Sequence, residues 1–301
     1  MRTTSSPRTV AVAVLTVASL FGVLAGGMLA SVTVGCVTTP SPEDKKAAGG
    51  HYEVALAFVH EAEKNGAAGN ATEQDAKYRE ALRELLEAEK RGGMVSEHHY
   101  LLGFVYFVGF RRHADAEKQL VTAIELRKAE RDEEYPEAEN TLGIVLVDAG
   151  RAKEALAHFE KARTNLLYAT PYFAEQELGW ALYKLGRHDE AVQHLQRALV
   201  AQPDLCGAYL KLAEVEVARG DDVRVQAVLD DFLARCDSER LRGSTGPRLI
   251  SAAFLELGKS RLRSGARDAA VDAFKQCLTR FGGEPAGREC DAQLRVLDSG
   301  T

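Results

Sequence analysis

The strongest constraint on this 301-residue chain is that it repeats itself. The stretch from Tyr172 to Pro203 reads Leu178-Gly179, Leu182, Gly186, Ala191, Leu195, Ala198, Pro203. The stretch before it carries Leu142-Gly143, Leu146, Gly150, Ala155, Phe159, Ala162 in the same order. One unit earlier come Leu102-Gly103, Tyr106, Ala116, Leu120 and Ala123, with one extra residue in the turn. Later units read Leu212-Ala213, Gly220, Val225, Leu229, Phe232 and then Leu257-Gly258, Gly265, Ala270, Phe274, Cys277. A degenerate first unit has Ala81, Leu85 and Ala88 after a helix expected near Tyr52 to Lys64. Gly143, Gly179 and Ala213 stand 36 and 34 residues apart, a period that marks stacked repeats.

The residue types fit two antiparallel helices per unit. Small residues at the Gly143-type and Ala155-type positions let the helices approach, while Leu and Phe fill the seam. The Gly150-type residue ends the first helix in a left-handed conformation, and Pro203 stops a second helix. No unit can bury its apolar face alone, so neighbours must stack into a continuous core. Composition agrees: 46% hydrophobic, 27% charged, only 8 prolines.

This pattern resembles the tetratricopeptide repeat over nearly all of residues 51–284. The resemblance implies an all-α, right-handed superhelix of about six helix pairs with a C-terminal cap. The pairs fall near 51–94, 96–130, 136–171, 172–205, 206–240 and 251–284, and the cap, with Leu294 and Leu297, at 285–297. Longer spacers occur at Arg127–Tyr135 and Asp237–Arg248, the second expected as an exposed loop or small hinge.

The N-terminus reads as an export signal over residues 1–35. Arg2 and Arg8 precede an uncharged apolar run from Val10 to Val34, which ends at Gly35-Cys36. Thr33-Val34-Gly35-Cys36 resembles the lipobox of bacterial lipoproteins, with Thr33 and Val34 where that family favours Leu and Ala or Ser. The resemblance implies cleavage before Cys36 and three acyl chains on it, enough for lasting attachment. An uncleaved single span is the alternative, since the run approaches bilayer thickness. Residues 37–50 (VTTPSPEDKKAAGG) read as a flexible tether. The net charge is −6, and beyond residue 35 the chain sets 36 basic against 44 acidic residues. Nucleic acid is therefore not an expected partner.

Cys206 opens a first helix and Cys236 closes the second helix of the same pair; Cys277 and Cys290 lie near the junction of the last pair with its cap. Antiparallel packing suits each pair for a disulfide, which an exported protein allows. The alternative is four buried small hydrophobes, and Cys277 occupies a position where Ala normally packs. No Cys-x-x-Cys spacing exists for a metal site. His60-Glu61 lacks the second His of a zinc-protease motif, and the adjacent His98 and His99 point apart on a helix. Phosphate loops, nucleophile elbows and kinase motifs are absent. No enzyme activity, metal or cofactor is expected.

In tetratricopeptide superhelices the first helices line the concave side. The inward register here gives Tyr100, Phe104, Phe107, Asn140, Ile144, Val147, Phe173, Gln176, Trp180, Tyr183, Leu210, Val217 and Leu255. An apolar, aromatic lining marks a partner groove, with Asn140 and Gln176 available to a ligand backbone. The alternative is a second core, or cover by the first unit or the tether. The Lys/Asn clamp that grips C-terminal carboxylates in some co-chaperones is not evident.

Asn140-Thr141-Leu142-Gly143 continues through Gly150, Ala155, Phe159 and Ala162 to Leu167-Tyr168-Ala169-Thr170-Pro171. Then follow Glu177-Leu178-Gly179, Pro203, Ala208 and Leu212-Ala213-Glu214. Over about Glu97 to Cys236 this is similar to the pilotin family of type IV pili, the PilF/PilW/Tgl group, although that family often has Asn where Glu177 stands. The resemblance implies a lipoprotein on the periplasmic face of the outer membrane, monomeric when free, that binds a secretin subunit and promotes its insertion and ring assembly. Phe104, Phe107, Ile144, Phe173, Trp180 and Tyr183 would carry the contact. The rival reading is a repeat scaffold for another envelope machine, such as barrel assembly or peptidoglycan synthesis.

Overall fold

The computed structural model describes residues 40–299; the leader, Cys36 and the start of the tether lie outside them. The described residues form helices and turns, with no strand. In chain order the helices are α1 (Pro42–Ala67), α2 (Ala71–Arg91), α3 (Ser96–Phe110), α4 (His113–Arg131), α5 (Pro136–Asp148), α6 (Ala152–Thr164) and α7 (Pro171–Lys184). They continue as α8 (His188–Ala201), α9 (Cys206–Arg219), α10 (Asp222–Cys236), α11 (Arg242–Arg263), α12 (Arg267–Phe281) and α13 (Pro285–Ser299). Each odd helix packs on the even helix that follows, each even helix packs on the next odd one, and α13 caps α11 and α12. The result is an all-α, right-handed superhelix of six helix pairs and a cap. Its curvature brings α1 into contact with α11.

Local sequence explains where helices begin. Pro136 and Pro171 occupy the first turns of α5 and α7, where a missing N–H costs nothing. The stretch 37–50 is not flexible throughout, because α1 begins at Pro42. The Asp44 N–H donates to the Ser41 hydroxyl at 3.1 Å and the Ser41 N–H to the Asp44 carboxylate at 3.0 Å, a reciprocal cap that starts the helix at Pro42, ahead of the expected Tyr52.

Turns follow the repeat. Gly150, Gly186, Gly220 and Gly265 take φ of 74 to 81°, the left-handed region that ends a first helix. In the α3–α4 turn Arg111 takes this conformation instead, at φ 54°, and its guanidinium pairs with Asp148 of α5. The spacer Asp237–Arg248 is not a plain loop. It holds a helical turn from Arg242 that kinks at Gly246 (φ 77°) ahead of Pro247. Arg242 donates to the Asp237 carbonyl at 2.7 Å, Arg280 donates to the Asp237 carboxylate at 2.6 Å, and Thr245 is buried.

The core runs along the stack as one cluster from α1 into α9 and a second from α9 to α13, with Leu199 and Val228 packed against both. Phe159, Leu195 and Phe274 are fully buried in equivalent seams. A Cβ on Gly143 would lie 2.5 Å from the Phe159 ring, so the glycine is what lets α5 and α6 close on a phenylalanine. Cys206 and Cys236 are joined by a disulfide with Cα atoms 5.8 Å apart, and Cys277 and Cys290 by another at 6.3 Å. One staples the α9–α10 pair and the other fastens the cap.

Candidate functional site

Four odd helices and the α3–α4 turn build one cleft of about 520 Å³. Phe107 (α3), Ile144 and Val147 (α5) and Trp180 (α7) give it an apolar lining, and Arg111, Asp148, Glu177, Lys184 and Lys211 (α9) give it a charged rim. The 36-residue step between Ile144 and Trp180 puts them at the same register of successive units. Stacking then brings their side chains to one face.

Cations lean on the aromatic rings of this cleft. Lys184 Nζ lies 4.1 Å from the Trp180 ring and 5.1 Å from that of Tyr183, and Lys211 Nζ lies 5.6 Å from Trp180. The Trp180 and Tyr183 rings are 5.0 Å apart, and Arg111 sits 5.1 Å from the Phe107 ring. Lys211 pairs with Glu177 at 2.5 Å, and Glu177 also accepts from Gln176 at 2.6 Å. Asp148 is held by Arg111 and His113. Burial alone would raise its pKa, but these hydrogen bonds outweigh it and hold the carboxyl below the usual range. The rim thus pairs Lys211 with Glu177 and Arg111 with Asp148, and sets Lys184 over the partly exposed Trp180 ring. That arrangement suits holding a polypeptide segment; no group of three or more His, Cys, Asp or Glu among the described residues could hold a metal ion.

The thirteen inward-register residues divide into groups. Phe107, Ile144, Val147 and Trp180 line the cleft, with Tyr183 stacked beside Trp180. Tyr100 and Phe104 pack against the core below, Tyr100 reaching Thr141 at 3.5 Å. Leu210, Val217 and Leu255 pack against the second core cluster, and Phe173 lies at the start of α7, stacked on Tyr172. Asn140 and Gln176, expected at the ligand, are buried; Asn140 Oδ1 and Gln176 Oε1 have no protein hydrogen-bond partner. Phe107 is likewise buried at 8% exposure, so it contributes an edge to the cleft, not a full ring face.

Family models for the tetratricopeptide repeat match residues 104–169, 173–205 and 252–283. The chain carries tetratricopeptide repeats. No curated protein matches the sequence significantly. Among solved structures, PilW, described as a widely conserved type IV pilus biogenesis factor, superposes with a TM-score of 0.65 at 19% identity, over 80% of this chain and 97% of PilW. PilF of Pseudomonas aeruginosa superposes with a TM-score of 0.59 at 15% identity, over 83% of this chain and 99% of PilF. At these identities the likeness establishes the fold. Within this tetratricopeptide frame, the charged rim is what an apolar reading of the register passes over. Asp148 and Lys184 directly follow Val147 and Tyr183 and were legible as inward positions. Lys211 and Arg111 stand off the register, and only the stacking of α9 and the left-handed turn at Arg111 bring them in.

Proposed function

We propose that this protein is a type IV pilus biogenesis factor of the pilotin kind. It is anchored to the outer membrane through acylated Cys36, faces the periplasm, and holds an apolar segment of a secretin subunit until the ring assembles. The role is non-catalytic: binding shields a surface that would otherwise aggregate. The observation that carries this reading is the cleft, where Trp180, Ile144 and Val147 remain partly exposed on the odd-helix face of a folded repeat stack. Exposed aromatic surface ringed by charge is what a protein partner uses as an anchor point. The likeness of the whole superhelix to PilW and PilF supports placing that partner in pilus assembly.

Capture from detergent-solubilised envelope, followed by mass spectrometry, tests it. The secretin should co-purify with the unaltered chain and be lost with Trp180→Ala/Tyr183→Ala, because removing a central aromatic anchor costs about 2–4 kcal/mol of binding. Recovery of barrel-assembly or peptidoglycan-synthesis proteins in place of a secretin would assign the cleft to a different envelope machine.

A further inference from the structure

The turn between α6 and α7 runs against the chemistry of a solvated turn. Asn165 fixes its shape: the Tyr168 N–H donates to the Asn165 carbonyl at 3.2 Å, and the Leu167 N–H to the Asn165 side-chain oxygen at 2.8 Å. Tyr168 is buried with Ala162 and Ala174 and ties the turn down. Between these fixed points stand Leu166 and Leu167, 99% and 83% exposed. Turn tips ordinarily take Gly, Asn, Asp, Ser or Pro. Neighbouring turns are polar, with Asp132, Glu133 and Glu134 between α4 and α5 and Pro203-Asp204 between α8 and α9. At the same end of the stack lie Val200 in the last turn of α8 and Phe173 in the first turn of α7, both exposed.

Successive helices are antiparallel, so along the run of contacts α1–α3–α5–α7 the helix starts share one edge of the repeat ribbon, before curvature brings the start of α11 to the end of α1. The first turn of α1 lies against the α2–α3 turn, where Gly93 approaches the Lys45 backbone. Only residues 37–41 separate Pro42 from Cys36, a span of roughly 20 Å at full extension. Acylation of Cys36, as in the proposed function, would keep the start of α1 within that reach of the bilayer.

We propose that the Leu166-Leu167 turn is a second membrane contact, inserted at the acyl–headgroup boundary of the bilayer to which Cys36 ties the chain. The inference rests on the anchoring part of the proposed function. Three acyl chains already give lasting attachment at one point, and a second point of contact would fix which way the cleft faces. The acidic residues of the neighbouring turn give no attraction to anionic headgroups, so the contact is apolar and insensitive to salt.

The test is a Leu167→Trp variant of the full chain, reconstituted into phosphatidylethanolamine–phosphatidylcholine vesicles with or without brominated acyl chains. Trp at 167 should emit blue-shifted light that brominated lipid quenches, unchanged by high salt, while Trp180 in the unaltered chain is not quenched. A chain that fails to float with the vesicles overturns the anchoring reading and this inference with it. A chain that floats but leaves Trp at 167 unquenched overturns the inference alone. Sedimentation in detergent covers the other occupant: a dimer that Leu166→Asn/Leu167→Asn converts to monomer would assign the turn to a second copy and overturn membrane insertion.

Discussion

Trp180 lines the open cleft with Lys184 and Lys211 over its ring. Its neighbours are decided by single residues of the kind Gly143 represents. Gly143→Val should overpack the Phe159 seam and cost about 1–3 kcal/mol, read as a lowered urea midpoint; an unchanged midpoint would mean that α5 and α6 have slack to give. Glu139 is a second point of leverage, buried in α5 and bonded to His158 at 2.5 Å and Lys161 at 3.2 Å. Burial alone would raise its pKa, but the two hydrogen bonds win and hold it below its ordinary 4.5. A depressed carboxylate stabilises the fold above the unfolded value and loses that contribution as pH falls through the folded one. Glu139→Gln should cost about 1–3 kcal/mol at neutral pH, and thermal melts should show its gap to the unaltered chain closing below pH 4.5; a constant gap would contradict the pairing. At this scale the sequence made Ile144, Val147 and Trp180 legible because register alone decides their face. Asn140 and Gln176 are buried, and for Gln176 the reason is that its register also faces the next odd helix, with Oε1 pointing at Gly207 of α9.

Helices and turns were legible where the repeat is regular and less so where it is not. Gly150, Gly186 and Gly220 mark the ends of α5, α7 and α9 in sequence as in structure. The start of α1 was missed because its signal is a short cap, Ser41 to Asp44, inside a stretch whose Pro and Gly content reads as linker. The Asp237–Arg248 spacer, expected as an exposed loop or small hinge, kinks at Gly246 ahead of Pro247, and what the sequence did not show is the helical turn that Arg242 opens before it. The disulfides act at this scale. Cross-linking across 30 and 13 residues is worth about 3–4 and about 3 kcal/mol through the unfolded chain. Reduction should therefore raise amide exchange in α9 to α13 and leave α3 to α8 protected; uniform loss of protection would contradict a local role.

Across the molecule, stability is a sum of pair and neighbour terms, so the two core clusters can respond separately while the cleft stays framed by α3, α5, α7 and α9. The superhelix was legible from the period alone; the contact of α1 with α11 was not, since it depends on curvature accumulated over six pairs. In the proposed function an acylated Cys36 would tie the stack to a membrane, and the partly exposed Trp180 of the odd-helix face would meet the secretin. The most direct measurement compares SDS-resistant secretin multimers in cells carrying the unaltered chain or Trp180→Ala/Tyr183→Ala, alongside helical content by circular dichroism. Loss of multimers with helical content unchanged is the expected result, whereas multimers that persist, or that vanish only as the helices melt, would contradict a binding role for the cleft.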